Sequence, residues 1–125
     1  MAGETVESLP RATRALQLGP EGEWFRVGDA PAVDIARRGV LKRILVALTH
    51  AHLDGARSLS TEELVQHVWP GDRSPHTSAR NRLYFAINAL REIGLRELIV
   101  RVDGGYALGS GVVIGDQPKA RSANQ

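Results

Sequence analysis

Apolar and polar residues alternate in three short runs near the amino terminus, RALQL, EWFRV and AVDIA, which are separated by GPEG and GDAP. A period of two marks a half-buried strand, and glycine and proline between such runs favour tight turns. The pattern therefore predicts a small antiparallel meander from about Arg14 to Ala36. The period then lengthens. In RRGVLKRILVALTHAHLDGA, Val40, Leu41, Ile44, Leu45 and Leu48 share one stripe of a helix, with Arg37, Arg38, Lys42 and Arg43 at its start or flanks. This first helix is expected to end near Gly55. After Leu59, the run STEE places Ser60 as an N-cap with Glu63 three residues on, a capping box, followed by apolar Leu64, Val65 and Val68. A second helix reaches about Trp69. The following PGDRSPH, with two prolines and a glycine, cannot continue it and forms a tight connection.

Residues 77–93 predict a third helix. With about 100° between successive residues, Ala79, Leu83, Ala86, Ile87, Leu90 and Ile93 fall within one arc that must face a core. The opposite arc carries Asn81, Phe85 and Asn88, with Tyr84, Arg80 and Arg91 on one flank and Arg82 on the other. Beyond Gly94, ELIVRVDGGYAL reads as two strands meeting at Asp103, Gly104 and Gly105, residues that tolerate positive φ, so a hairpin is expected over 97–108. Residues 1–13 show no periodicity and are expected to form a flexible lead. Residues 110–125 offer little to pack and are expected to be a flexible tail, leaving one domain over 14–109. The order of elements is a small N-terminal antiparallel sheet, three helices and a C-terminal β-hairpin. That is an α+β fold of the winged helix-turn-helix type, the hairpin being the wing.

Composition narrows the function. With 125 residues, 42% of them hydrophobic, the chain can bury one modest core. The absence of cysteine removes disulfides, thiol nucleophiles and cysteine-ligated zinc, and fits a reducing compartment. No apolar run approaches a membrane span and the amino terminus lacks the zones of a secretory signal, so a cytoplasmic protein without membrane partners is expected. Net charge is only +2, yet from Arg73 to Arg91 there are four arginines, one histidine and no acid. Fourteen of the sixteen basic residues are arginine, which fits either a GC-rich genome or phosphate recognition.

Catalytic signals are weak. No Ser, His and Asp set or paired carboxylates on a concave face can be identified, so an enzyme is not expected, nor a cofactor. His50 and His52 would point about 200° apart on a helix, which argues against a shared metal. GSGVVIG has the wrong glycine spacing for a phosphate-binding GxGxxG loop, lacks a following lysine, and precedes Pro118.

The segments ELVQHVW, a proline-containing loop, a helix with NRLYFAINALR, and a hairpin ending in GGYAL resemble the effector domain of OmpR/PhoB-type transcriptional regulators. The resemblance covers roughly Arg14 to Leu108 and is most specific at Val68–Trp69, Leu90–Arg91 and Gly105–Tyr106. It implies that the third helix enters the DNA major groove and the hairpin wing reaches the adjacent minor groove, while the loop between the second and third helices can touch RNA polymerase. The protein would then be a DNA-binding transcriptional regulator, or the DNA-binding module of one, whose main partner is double-stranded DNA. The first dozen residues are too few for a receiver domain, so control is expected from oligomerisation or another polypeptide.

The helical face and the resemblance indicate the same side chains. Major-groove readout pairs asparagine with adenine, arginine with guanine, and apolar groups with the thymine methyl. Asn81, Phe85 and Asn88 suit that work. Arg80, Arg82 and Arg91 would lie nearer the phosphates, and the resemblance implies that Trp69 can donate its indole N–H to one. Arg73, Thr77, Tyr84 and Arg101 complete the candidate DNA-binding set. Four to six phosphate contacts would give log K against log[salt] a slope of roughly −4 to −5.

The sequence also departs from the family. Ala89 stands where a base-reading arginine is common, Val102 where a wing arginine is common, and Asp103 near the wing tip would repel phosphates. A second reading therefore stays open: a winged-helix protein–protein interaction module that does not bind DNA specifically and docks a protein through Tyr84 and Phe85.

Overall fold

The computed structural model describes residues 14–55, 57–73, 76–102 and 104–115. The elements are β1 (Arg14–Leu18), β2 (Trp24–Val27), β3 (Val33–Asp34), α1 (Gly39–Leu53), β4 (Leu59–Ser60), α2 (Thr61–Val68), α3 (His76–Leu90), a wide π-type turn (Arg91–Leu95), β5 (Ile99–Val102), β6 (Gly105–Leu108) and β7 (Val112–Ile114). It is an α+β fold with three helices and two small sheets, one of strand order β3-β2-β1-β7 and one of order β4-β6-β5. No helix among the described residues is long and apolar enough to cross a membrane.

The expected meander is present: β1 pairs antiparallel with β2 and β2 with β3. Its alternation works as the sequence implies, because Leu16, Leu18 and Phe25 turn inward and are buried. The expected hairpin also forms, with Ile99 opposite Leu108 and Val102 opposite Gly105. Leu41, Ile44, Leu45 and Leu48 of α1, Leu64 and Val68 of α2, and Leu83, Ile87 and Leu90 of α3 join the strand residues in one apolar cluster. Those are the stripes that 3.6-residue periodicity marks out.

Three features correct the sequence reading. The first concerns the tail expected over 110–125: Val112–Ile114 instead form β7, which pairs parallel to β1 with Arg14 opposite Val112 and Leu16 opposite Ile114. Val112 is buried, and the Nε2–H of His52 in α1 donates to its carbonyl at 2.6 Å. Residues 116–125, the lead over 1–13 and Asp103 lie outside the described residues. The second is the end of α3, where the regular α-helix gives way after Leu90 to a π-type turn, although the backbone stays helical through Ile93 and breaks at Gly94. Gly94, at φ 145°, cannot extend a helix, and a methyl group there would approach the Phe25 ring to 3.2 Å. The third is Gly105, which does not occupy the positive-φ position; Gly104 does, at φ 79°. Gly105 lies in β6, where β4 passes so close that a Cβ would meet the Leu59 carbonyl oxygen at 2.0 Å.

The capping box of α2 is complete. Glu63 N–H donates to Ser60 Oγ at 3.0 Å, and Ser60 N–H donates to Glu63 Oε1 at 2.8 Å. The Ser60 backbone donor, with smaller help from Arg57, holds the Glu63 carboxyl below its ordinary 4.5. A carboxylate depressed in the folded state contributes stability above its unfolded pKa and loses it as pH falls through the folded value. Glu63→Gln is therefore expected to destabilise the protein at pH 7 and to be closer to neutral at pH 3, as read by urea denaturation at both pH values. An equal effect at the two pH values would remove ionised Glu63 from the account.

Candidate nucleic-acid interface

Helix α3 is held by its buried edge, Ala79, Leu83, Ile87 and Leu90, so its orientation is fixed by the core and its other faces are free to act. Those faces divide three ways. The crown, opposite the core, presents exposed Asn81 and Phe85, with Phe85 69% exposed and Tyr84 beside it 48% exposed. The two rings meet edge to face with centroids 5.8 Å apart. Asn88, expected on the same strip, is half-buried.

On the hairpin side, Thr77, Arg80, Asn81 and Tyr84 form one wall of a polar groove of about 460 Å³, and Arg101 and Tyr106 of the hairpin line it opposite. The exposed Arg101 guanidinium lies 5.9 Å from the centroid of the Tyr106 ring, a cation–π arrangement that steadies it. Tyr106 can serve this way because it is itself buried. Thr61, the first residue of α2, lines the same groove. Neither Thr61 nor Tyr106 belongs to the set expected from sequence; the GGYAL match marks Tyr106 as a resemblance without assigning it a role.

On the α2–α3 loop side the arrangement differs from expectation. The Arg82 guanidinium carbon stacks 4.4 Å above the centroid of the Trp69 ring, and its Nη2 donates to Asp72 Oδ2 at 2.5 Å. Arg82 is therefore matched by an acid that lies just outside the acid-free stretch in sequence. Trp69, the C-cap residue of α2, is half-buried beneath it and packs against the core. Arg73 is exposed in the loop. Arg91 sits in the π-type turn, half-buried, and its Nη2 donates to the Ile99 carbonyl at 3.1 Å. Its guanidinium thus fastens the end of α3 to β5.

The remaining basic residues resolve similarly. Arg37 and Arg38 are exposed at the start of α1, but Arg43 Nη1 donates to the Val68 carbonyl at 3.0 Å, satisfying a carbonyl at the C-terminal end of α2. A larger groove, about 590 Å³, lies beside α1, where Lys42, His50 and His67 face Glu21 and an Asp54 paired to Arg57 at 3.4 Å. Its mixed charge favours no anionic ligand. His50 lines that groove while His52 turns to Val112, so the two rings diverge as their spacing implies.

The arrangement can offer amide and aromatic groups along the exposed side of α3, with two guanidinium groups from different elements lining one groove beside it. No protein-family model and no curated protein matches this chain.

Proposed function

We propose that the chain is a DNA-binding transcriptional regulator, or the DNA-binding module of one, of the OmpR/PhoB-type winged helix-turn-helix class. In this reading α2, the following loop and α3 form the helix-turn-helix, α3 enters the major groove and the β5–β6 hairpin is the wing. The observation that carries it is the pairing of Arg80 on α3 with Arg101 on the hairpin across one polar groove, next to the exposed crown of Asn81 and Phe85. A duplex lying with its major groove over α3 would bring a phosphate strand past that groove. The guanidinium pair would hold the backbone and the crown would meet base edges. The α2–α3 loop would be the segment able to meet RNA polymerase, and the setting would be cytoplasmic. No reaction and no cofactor is assigned.

Salt dependence tests the reading. Because Arg82 and Arg91 are engaged within the protein, Arg73, Arg80 and Arg101 remain, and three phosphate contacts give a slope of roughly −3 at about 0.9 per phosphate. Fluorescence anisotropy on a labelled duplex between 50 and 200 mM salt, values at which the effect is expected to be about this large, measures it. Arg80→Ala is expected to reduce the slope by about one. Asp72→Asn, which releases Arg82, is expected to tighten binding and steepen the slope by about one. A wild-type slope near zero, or Arg80→Ala indistinguishable from wild type, overturns the proposal.

One observation favours the interaction-module reading instead. Tyr84 and Phe85 form an exposed aromatic pair, the kind of anchor that protein interfaces bury. That reading gains if duplex binding is absent at low salt.

A further inference from the structure

The three faces of α3 differ in which bases they can address, and the difference follows from where each arginine has gone. Relative to Phe85, at about 100° per residue, Asn81 and Ser78 lie within about 40° and form the crown with it. Arg80 lies about 140° away, in the wall of the hairpin groove. Arg82, about 60° to the other side, is stacked on Trp69 and bonded to Asp72. Arg91 lies beyond the end of α3 and is bonded to Ile99. Among the described residues the guanidinium groups of α3 are therefore turned away from Phe85 at the centre of the crown, with Arg80 in the groove that Asn81 also lines, and the arginine fork is the commonest reader of guanine O6 and N7.

What the crown does present is an amide and a ring. The Asn81 amide presents an NH2 that can donate to adenine N7 beside a carbonyl oxygen that can accept from adenine N6. Phe85, 69% exposed, has no polar atom to offer a base edge and fits the C5 methyl of thymine. Ser78 can bond to either pair and does not discriminate. Glu92, an acceptor that could suit cytosine, lies two helical turns past Phe85, on the π-type turn.

We propose that the crown of α3 selects A·T base pairs in the major groove, with Asn81 reading adenine and Phe85 reading the thymine methyl. This rests on the DNA-binding reading above and specifies its target.

Four alternating duplex polymers of equal length separate the possibilities at one fixed salt concentration. They are poly(dA-dT), poly(dA-dU), which lacks only the methyl, poly(dG-dC), and poly(dI-dC), which keeps the G·C pattern in the major groove while presenting an A·T-like minor groove. Poly(dA-dT) is expected to bind about tenfold more tightly than poly(dG-dC), with poly(dI-dC) close to the latter. Poly(dA-dU) should bind about threefold more weakly than poly(dA-dT). Phe85→Ala should remove the difference between thymine and uracil, and Asn81→Ala should narrow the preference for A·T over G·C. Equal binding to poly(dA-dT) and poly(dG-dC), indifference to the methyl, or poly(dI-dC) behaving like poly(dA-dT) would each overturn the inference while leaving DNA binding intact. Binding to none of the four would overturn both this inference and the function on which it rests.

Discussion

Gly105→Ala is expected to lower the stability of the whole domain by about 2–3 kcal/mol, an unusually large effect for one added methyl group. The new Cβ would stand 2.0 Å from the Leu59 carbonyl oxygen and 2.8 Å from Ser60 Cα, both backbone atoms that no rotamer change can move aside. Strand β4 would have to separate from β6, breaking the Ser60–Gly105 pairing. The damage would spread because Ser60 is also the N-cap of α2 and Thr61 N–H donates to the Gly104 carbonyl at 3.0 Å. Gly104→Ala provides the comparison. Its φ of 79° is costly for an L residue, but nothing lies within 4 Å of the added methyl, so a loss of about 1 kcal/mol is expected. Guanidinium denaturation of the two variants measures the order. If Gly105→Ala were no worse than Gly104→Ala, the close approach of β4 to β6 would not be a property of the folded chain.

The second large effect separates the two sides of α3. Ile87→Ala, at a position 1% exposed within the core cluster, is expected to cost about 2–5 kcal/mol, from lost apolar transfer energy and the cavity left behind. That is a large share of the roughly 5–15 kcal/mol that holds a small domain together. Phe85→Ala, two positions away on the same helix, removes a bigger side chain. It should change stability by no more than about 0.5 kcal/mol, because Phe85 is already 69% exposed and its ring meets that of Tyr84, itself exposed. The proposed function needs this asymmetry: a residue kept exposed at no benefit to folding is available for a partner. Denaturation curves in which Phe85→Ala and Ile87→Ala lose similar stability would assign Phe85 to the core and remove the crown.

Elements whose information is local are legible in the residues alone. Alternation over Arg14–Ala36 marked the meander, the i, i+3 and i+4 spacing of Leu41, Ile44, Leu45 and Leu48 marked α1, and Ser60 with Glu63 marked the start of α2. The buried arc of α3 was legible for the same reason: Leu83, Ile87 and Leu90 recur with the helical period, and burying them is worth enough to fix which side faces inward. Tertiary structure decided what depends on segments far apart in the chain. Three residues, VVI, are too few to show a period, so β7 becomes a strand only because β1 offers it an edge and His52 holds its backbone. The spacing GG was readable as a turn, but whether Gly105 needs its φ or its missing side chain depends on how closely β4 passes.

The same division separates the charges. A count of arginines between Arg73 and Arg91 gives the density of positive charge, while folding decides which of them can reach a ligand. It places Asp72 and Trp69 on Arg82, the Ile99 carbonyl on Arg91, and Arg101 opposite Arg80. Backbone periodicity is written in neighbouring residues, whereas the partner of a long, flexible guanidinium is whatever the finished fold brings within about 3 Å of it.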